Sequence, residues 1–150
     1  MIALTVTPQQ ALAALARIKD EFVPKFKYAL SNQMAFRLLA VMQGFTPVRT
    51  GHLRTSEGVD VEPDGFWVGT HSVDYAYWVA KGTPPHDIYP VNKKALAWPG
   101  GGHPVTHVHH PGTTANPFHT LAYDQVMKEA PTMVLALLAT HGSEFGMVSQ

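Results

Sequence analysis

The chain has no cysteine, few charges and no long hydrophobic run, and each shortage closes a route. Without cysteine, neither a disulfide nor a thiolate metal site can form. Charged residues make up only 15% of 150 positions, and 11 basic side chains balance 11 acidic ones. That neutrality argues against a non-specific nucleic-acid binder, which needs a cationic excess to release counterions. A surface sparse in charge and without net charge favours association, so neighbours are expected. The apolar stretch from Met133 to Ala139 falls far short of the roughly 18–20 residues needed to cross a bilayer. Met1 to Pro8 has no basic segment followed by an apolar core, so it does not read as a secretory signal. The expectation is a soluble, cytosolic chain.

What is present fits a single domain over 1–150, with 45% hydrophobic residues and mean hydropathy near zero. That length can bury one core without covalent staples. Residues 8–45 read as helix, with Thr7 as N-cap and Pro8 at the first helical position. Leu12, Leu15, Phe22, Phe26, Leu30, Met34, Leu38, Val41, Met42 and Phe45 recur at steps of three and four, one face of a helix. Pro24 removes a backbone bond, so a kink or a junction of two helices is expected near Phe22 to Pro24. Gly44 and Pro47 end the element.

Beyond Gly51, residues 53–61 and 65–71 read as two strands joined by Glu62-Pro63-Asp64-Gly65. Proline and glycine there preset the dihedrals of a tight turn. Asp74 to Lys81 is aromatic and leans towards helix. Residues 82–116 then change in character, with Pro84, Pro85, Pro90, Pro99, Pro104 and Pro111, five histidines, and the run Gly100-Gly101-Gly102. Ile88 to Pro90 and Ala95 to Trp98 are expected to pair with Val105 to Val108, making a loose arm over about 84–112 with a glycine tip. Such an excursion inside a small domain is usually functional or ordered by a partner, and ordering only on assembly is the expectation here. Asn116-Pro117 caps a further helix through about Ala130. Pro131 restarts or bends it, Gly142 closes it, and 143–150 read as a tail. The class is α+β: long N- and C-terminal helices on a small, mainly antiparallel sheet, with an extended arm.

Three constellations invite a chemical reading. His107 and His109 would share a strand face, a spacing found in metal sites. His103, His110, His86 or Asp87 would supply a third ligand. The cluster carries no H-E-x-x-H motif and no carboxylate-rich companion, so solvated loop histidines are the default and no metal or other cofactor is expected. Histidines here would also titrate near neutral pH and tune an interface. Gly100-Gly101-Gly102 lacks the lysine and helix start of a phosphate loop. Ser56, with His52 and Asp60 four residues away on either side, does not make a triad, which is recognised by spatial roles. No catalytic residue is assigned.

The remaining candidates point to contact surfaces. Arg49 and Arg54 flank Thr50-Gly51, either in local ion pairs or facing acidic groups of a neighbour. Of the aromatics, Phe66 or Trp67 is expected inside, and one of Tyr77 and Trp78 towards a partner. The residues expected to meet a partner are Arg49, Arg54, Tyr77, Trp78, His86, Tyr89, Trp98, His107 and His109. Lys93-Lys94 is a thin basis for incidental contact with DNA.

Four segments occur in an order that resembles the neck, or tail-completion, proteins of long-tailed bacteriophages. They are Thr46-Pro47-Val48 with Thr50-Gly51, Leu53-Arg54 and Ser56; Val68-Gly69-Thr70; Tyr75-Ala76, Val79, Gly82-Thr83 and Pro85-His86; and His110 to Ala115 with Pro117-Phe118. The similarity spans about residues 10–130. The chain departs from the family at Arg49, where an acidic or polar residue is commoner, and at Asn116, where arginine is. The resemblance implies a structural virion protein at the head–tail junction, in a homo-oligomeric ring of six or twelve copies. It further implies contacts with portal, adaptor or head-closure proteins on one side and tail tube or terminator proteins on the other. A tail-terminator or head-closure ring is the near alternative; a histidine-dependent metal-binding domain or small metalloenzyme is the distant one.

Overall fold

A computed structural model of the chain describes residues 7–142, so the expected tail at 143–150 lies outside the described residues. The class is α+β. Helix α1 (Pro8–Arg17) starts in a full capping box: the Thr7 hydroxyl accepts from Gln10 N–H, and the Gln10 side chain accepts from Thr7 N–H. A π-helical segment (Ile18–Phe22) joins it to helix α2 (Val23–Phe45) without a break. Val23 N–H donates to Ile18 O, five residues back, the bond that defines a π turn. The expected disturbance at Pro24 is therefore a local widening rather than two separate helices. Pro24 follows directly on the π segment, and the disturbed turn is where the continuous helix passes a residue with no N–H to donate.

The expected strand over 53–61 is corrected at its start. Gly51 takes a left-handed conformation (φ 83°), and helix α3 (His52–Thr55) makes one turn before strand β1 (Glu57–Glu62). One turn of helix points Leu53 into the core, which the alternation of a strand does not require. Strand β2 (Gly65–Thr70) pairs antiparallel with β1, from Glu57 opposite Thr70 to Glu62 opposite Gly65, closing on Pro63 and Asp64. The rings of Trp67 and His71 lie over the facing glycines Gly58 and Gly69, where a side chain would collide with them. Helix α4 (Ala76–Lys81) follows as the composition suggested.

The core joins Val41 and Met42 of α2, Leu53, Val73, and Phe118, Ala122 and Val126 of helix α5 (Phe118–Gly142), with Val68, Val79 and Ala80 packed at its edge. Met42 meets the start of α5, whereas Arg37, earlier on α2, bonds Glu129 further along α5 through two contacts of 2.7 and 3.0 Å. The two helices are thus antiparallel. Pro117 O accepts the first bond of α5 from Leu121 N–H, so the cap falls one residue later than Asn116. The helix runs through Pro131 without restarting.

The expected apolar face of the N-terminal helix is covered only in part. Phe22, Val41 and Met42 are buried, but Leu12 and Leu15 are 66% and 62% exposed and α1 has no buried residue. Periodicity identified an amphipathic helix, and the first turns of that helix run past the core they were expected to join.

Candidate functional site

The arm is real in outline and fixed at its root. Gly82 (φ 71°) and Gly112 (φ 86°) turn the chain where it leaves and re-enters the body. Between them Thr83 and Thr113 form an antiparallel bridge with mutual N–H···O bonds of 3.1 and 3.0 Å, and their hydroxyls lie 3.0 Å apart. A Cβ on either glycine would strike the backbone of the opposite strand at Thr113 or Thr83. Asn116 N–H donates to Val79 O (3.0 Å), which ties the returning strand to α4.

Beyond the root, strand β3 (His86–Ile88) pairs with strand β4 (Val108–His110), and Leu96 bridges Val105. The Leu96–Val105 bridge joins two of the stretches expected to pair, whereas the β3–β4 ladder lies nearer the root than the expected Ile88–Pro90 and Val105–Val108 and meets them only at Ile88 opposite Val108. Trp98 O accepts from Gly101 N–H (3.0 Å) with Gly100 at φ 86°, so the glycine run folds as a proline–glycine turn.

The pleat divides the arm into two faces. On one, the His86 and His110 rings stack at 5.1 Å beside Ile88 and Val108. His86 Nδ1–H donates to Pro84 O (2.9 Å), and Gly112 N–H donates to His110 Nδ1 (3.0 Å). The carbonyl can only accept and the amide can only donate, which fixes a different tautomer on each ring. On the other face His109 Nδ1–H donates to Asp87 (2.9 Å), and Tyr89 stacks on His107 at 5.8 Å. His107 and His109 do share a face, but one is covered by a phenol ring and the other is held by a carboxylate. His103 lies exposed beyond the turn. Among the described residues, no three histidine, aspartate or glutamate side chains are placed to hold a metal ion.

The first face opens into a cleft of about 570 Å³ between arm and body, lined by Tyr75, Trp78, Val79, His86, Ile88 and His110, among others. A second hollow of about 340 Å³ continues it past Ile88 to Leu96, Trp98 and Val108. Tyr77 and Trp78 are both exposed, their rings edge to face at 5.0 Å, and the Lys81 ammonium sits 5.1 Å from the Tyr77 ring. Trp67 is exposed while Phe66 is half-buried. Tyr89 and Trp98 are exposed as well. Arg49 and Arg54 are exposed, and neither makes a salt bridge among the described residues. Arg49 borders an adjoining hollow, which shares Pro47, Tyr75 and Val79 with the cleft. Ser56 Oγ donates to Leu53 O (2.7 Å), so it is engaged by its own helical turn rather than by His52.

Sequence reasoning passed over Ile88, Val79 and Asn116, which build the cleft. The alternation of His86, Asp87 and Ile88 was the available signal for the first of these. It also passed over a buried carboxyl. Glu57 is 7% exposed, its Oε1 contacts the Thr46 hydroxyl, and its Oε2 is buried with no partner. Burial pushes its pKa above the ordinary 4.5, although the Thr46 contact and the Arg54 charge pull it down.

No helix among the described residues is long and apolar enough to cross a membrane. Comparison with protein-family models, curated proteins and solved structures finds no match to this chain.

Proposed function

We propose that the protein is a structural component of the head–tail junction of a tailed bacteriophage, a neck or tail-completion protein acting through a ring of its own copies. The observation that carries this reading is the arm with its open cleft: a held projection beside α4 with Trp78, Ile88 and Trp98 exposed around an apolar hollow, and Tyr77 and Tyr89 exposed outside it. Exposed aromatics gathered at one place are what a contact surface needs, since they supply large area at low entropic cost. Two-stranded sheets such as β1–β2 and β3–β4 also have outer edges able to take a strand from a neighbour. Portal-side and tail-side proteins are the partners outside the ring. The motif order from Thr46 to Phe118 adds to the reading, and the virion, after assembly in the host cytoplasm, is the location it carries.

The test is electron microscopy of lysates from a phage with a stop codon in this gene. Filled heads and finished tails accumulating apart are the expected result. Intact infectious virions would sink the proposal.

A further inference from the structure

Leu12 and Leu15 stand one helical turn apart on α1 and are among the most exposed large apolar side chains of the protein. They are not on a frayed end. The capping box fixes the start of α1, and the π segment carries it unbroken into α2. Along that rod the apolar stripe passes from buried Phe22 through half-buried Ile18 to open Leu15 and Leu12, so it leaves the core and continues past it. A stripe specified this firmly and left bare marks an interaction site.

The complementary surface lies at the other end of the same molecule. The cleft beside α4 and its extension past Ile88 form an apolar hollow in two parts. Met42 belongs to the core cluster against which Val79 and Ala80 of α4 pack. Leu15 is 27 residues before Met42, which at 1.5 Å per residue puts the two ends roughly 40 Å apart. One chain cannot fold its own α1 into its own cleft.

Charge also matches. Residues 8–16 carry no ionisable side chain, and no aspartate, glutamate, lysine or arginine lines either part of the cleft. Docking one on the other therefore desolvates no full charge, the cost that most often defeats a buried contact. Two leucines at i and i+3 are the spacing by which a helix anchors in an apolar groove.

We infer that α1 of one copy seats Leu12 and Leu15 in the arm–α4 cleft of the next copy. The contact is head-to-tail and closes into a ring or runs on as a filament. This rests on the ring reading given above and names the surfaces that make the ring.

The absence of cysteine permits a direct test by disulfide trapping. L15C protein is mixed with I88C protein at the highest soluble concentration and oxidised, with each variant also oxidised alone. The expected result is a mixed disulfide dimer dominating over either self-pair, and a ladder of covalent oligomers from the doubly substituted chain. Self-paired L15C as the main product, oligomers without any mixed product, or a chain that stays monomeric would each overturn the inference. In parallel, L12D/L15D should keep its far-ultraviolet circular dichroism, because both sites are exposed. Its self-association should weaken about tenfold or more through lost apolar burial; unchanged self-association would overturn the inference. A mixed disulfide alongside intact virions from the stop-codon phage would leave this contact standing while removing the joining role. Unjoined heads and tails without the disulfide would do the reverse.

Discussion

The hydroxyl of Thr46 lies between Met42 O, at 2.8 Å, and the carboxyl of Glu57. One hydroxyl carries one proton, and here it faces two acceptors. An ionised Glu57 takes that proton, which is how the Thr46 contact pulls its pKa down, but leaves Met42 O without it. A neutral Glu57 donates to Thr46 and lets Thr46 donate to the carbonyl. Burial, which favours the neutral acid, works in the same direction. The pair joins the end of α2 to the start of β1, beneath the Pro47–Gly51 loop.

A glutamate whose pKa is raised on folding contributes stability that is complete below its ordinary 4.5 and is lost as pH rises through the folded value. At neutral pH the wild type therefore bears the cost of a buried charge or of its protonation. Glu57→Gln removes the charge and keeps the shape. Its unfolding free energy should match the wild type near pH 4 and exceed it at pH 8. Denaturant titrations at several pH values measure this. An unchanged pH slope in the variant would count against a neutral Glu57.

Thr46→Val should act in the opposite direction. It strips the hydroxyl from a residue 3% exposed and leaves Glu57 without a partner on either oxygen. A loss of about 1–3 kcal/mol is expected. A double-mutant cycle with Glu57→Leu, which has no group to bond the hydroxyl, should return a coupling above about 0.5 kcal/mol, as for residues in direct contact. Strict additivity would show that the two do not interact.

Glu129 has the reverse pH signature. The bidentate bond from Arg37, and then the bond from Gln125, hold its carboxyl below the ordinary 4.5, and Arg37 is raised by the same pairing. Its contribution is present above pH 4.5 and lost as pH falls through the folded value. Glu129→Gln should flatten the acid limb of the stability profile and leave the alkaline limb alone. Thermal melts between pH 3 and 6 separate the two, and a variant that follows the wild-type acid limb would refute the assignment.

The arm should be the least protected part of the free protein. Its ladder is short and exposed, whereas α2 and α5 pack on the core, and local opening follows buried contact. Hydrogen exchange on the free chain should show amides of β3 and β4 exchanging far faster than those around Met42 and Ala122, and slowing on assembly. Gly82→Ala and Gly112→Ala should accelerate arm exchange further, since each combines a left-handed φ with a backbone collision. An arm as protected as α5 in the free chain would exclude ordering on assembly.

Much of this architecture was legible because it is local. Thr7-Pro8, Glu62-Pro63-Asp64-Gly65 and the flanks of the arm are short signals with direct steric causes, and each lies within a residue or two of its observed element. The misreadings come from what lies beyond local pattern. Leu53 suits a strand or a single helical turn equally, and the left-handed Gly51 decides between them. Leu12 and Leu15 carry core periodicity, but periodicity does not say what covers a face. Asp87 and Tyr89 engage His109 and His107 from about twenty residues earlier in the chain, a pairing that spacing within the histidine cluster does not contain. The burial of Glu57 depends on Thr46 arriving from α2, so it left no signature at position 57.

The π turn at Ile18–Phe22 holds one residue more than an α-turn would. In an α-helix each residue advances the azimuth by about 100°. The wider turn absorbs that residue, so rewinding Ile18–Phe22 as α-helix with every residue kept would swing the Leu12–Leu15 face by about a quarter of a revolution, with the capping box and the core both intact. Fold stability would scarcely register the change. In the proposed head-to-tail contact the bearing of each copy on the next would, so the winding of this segment is what would set the curvature of that assembly.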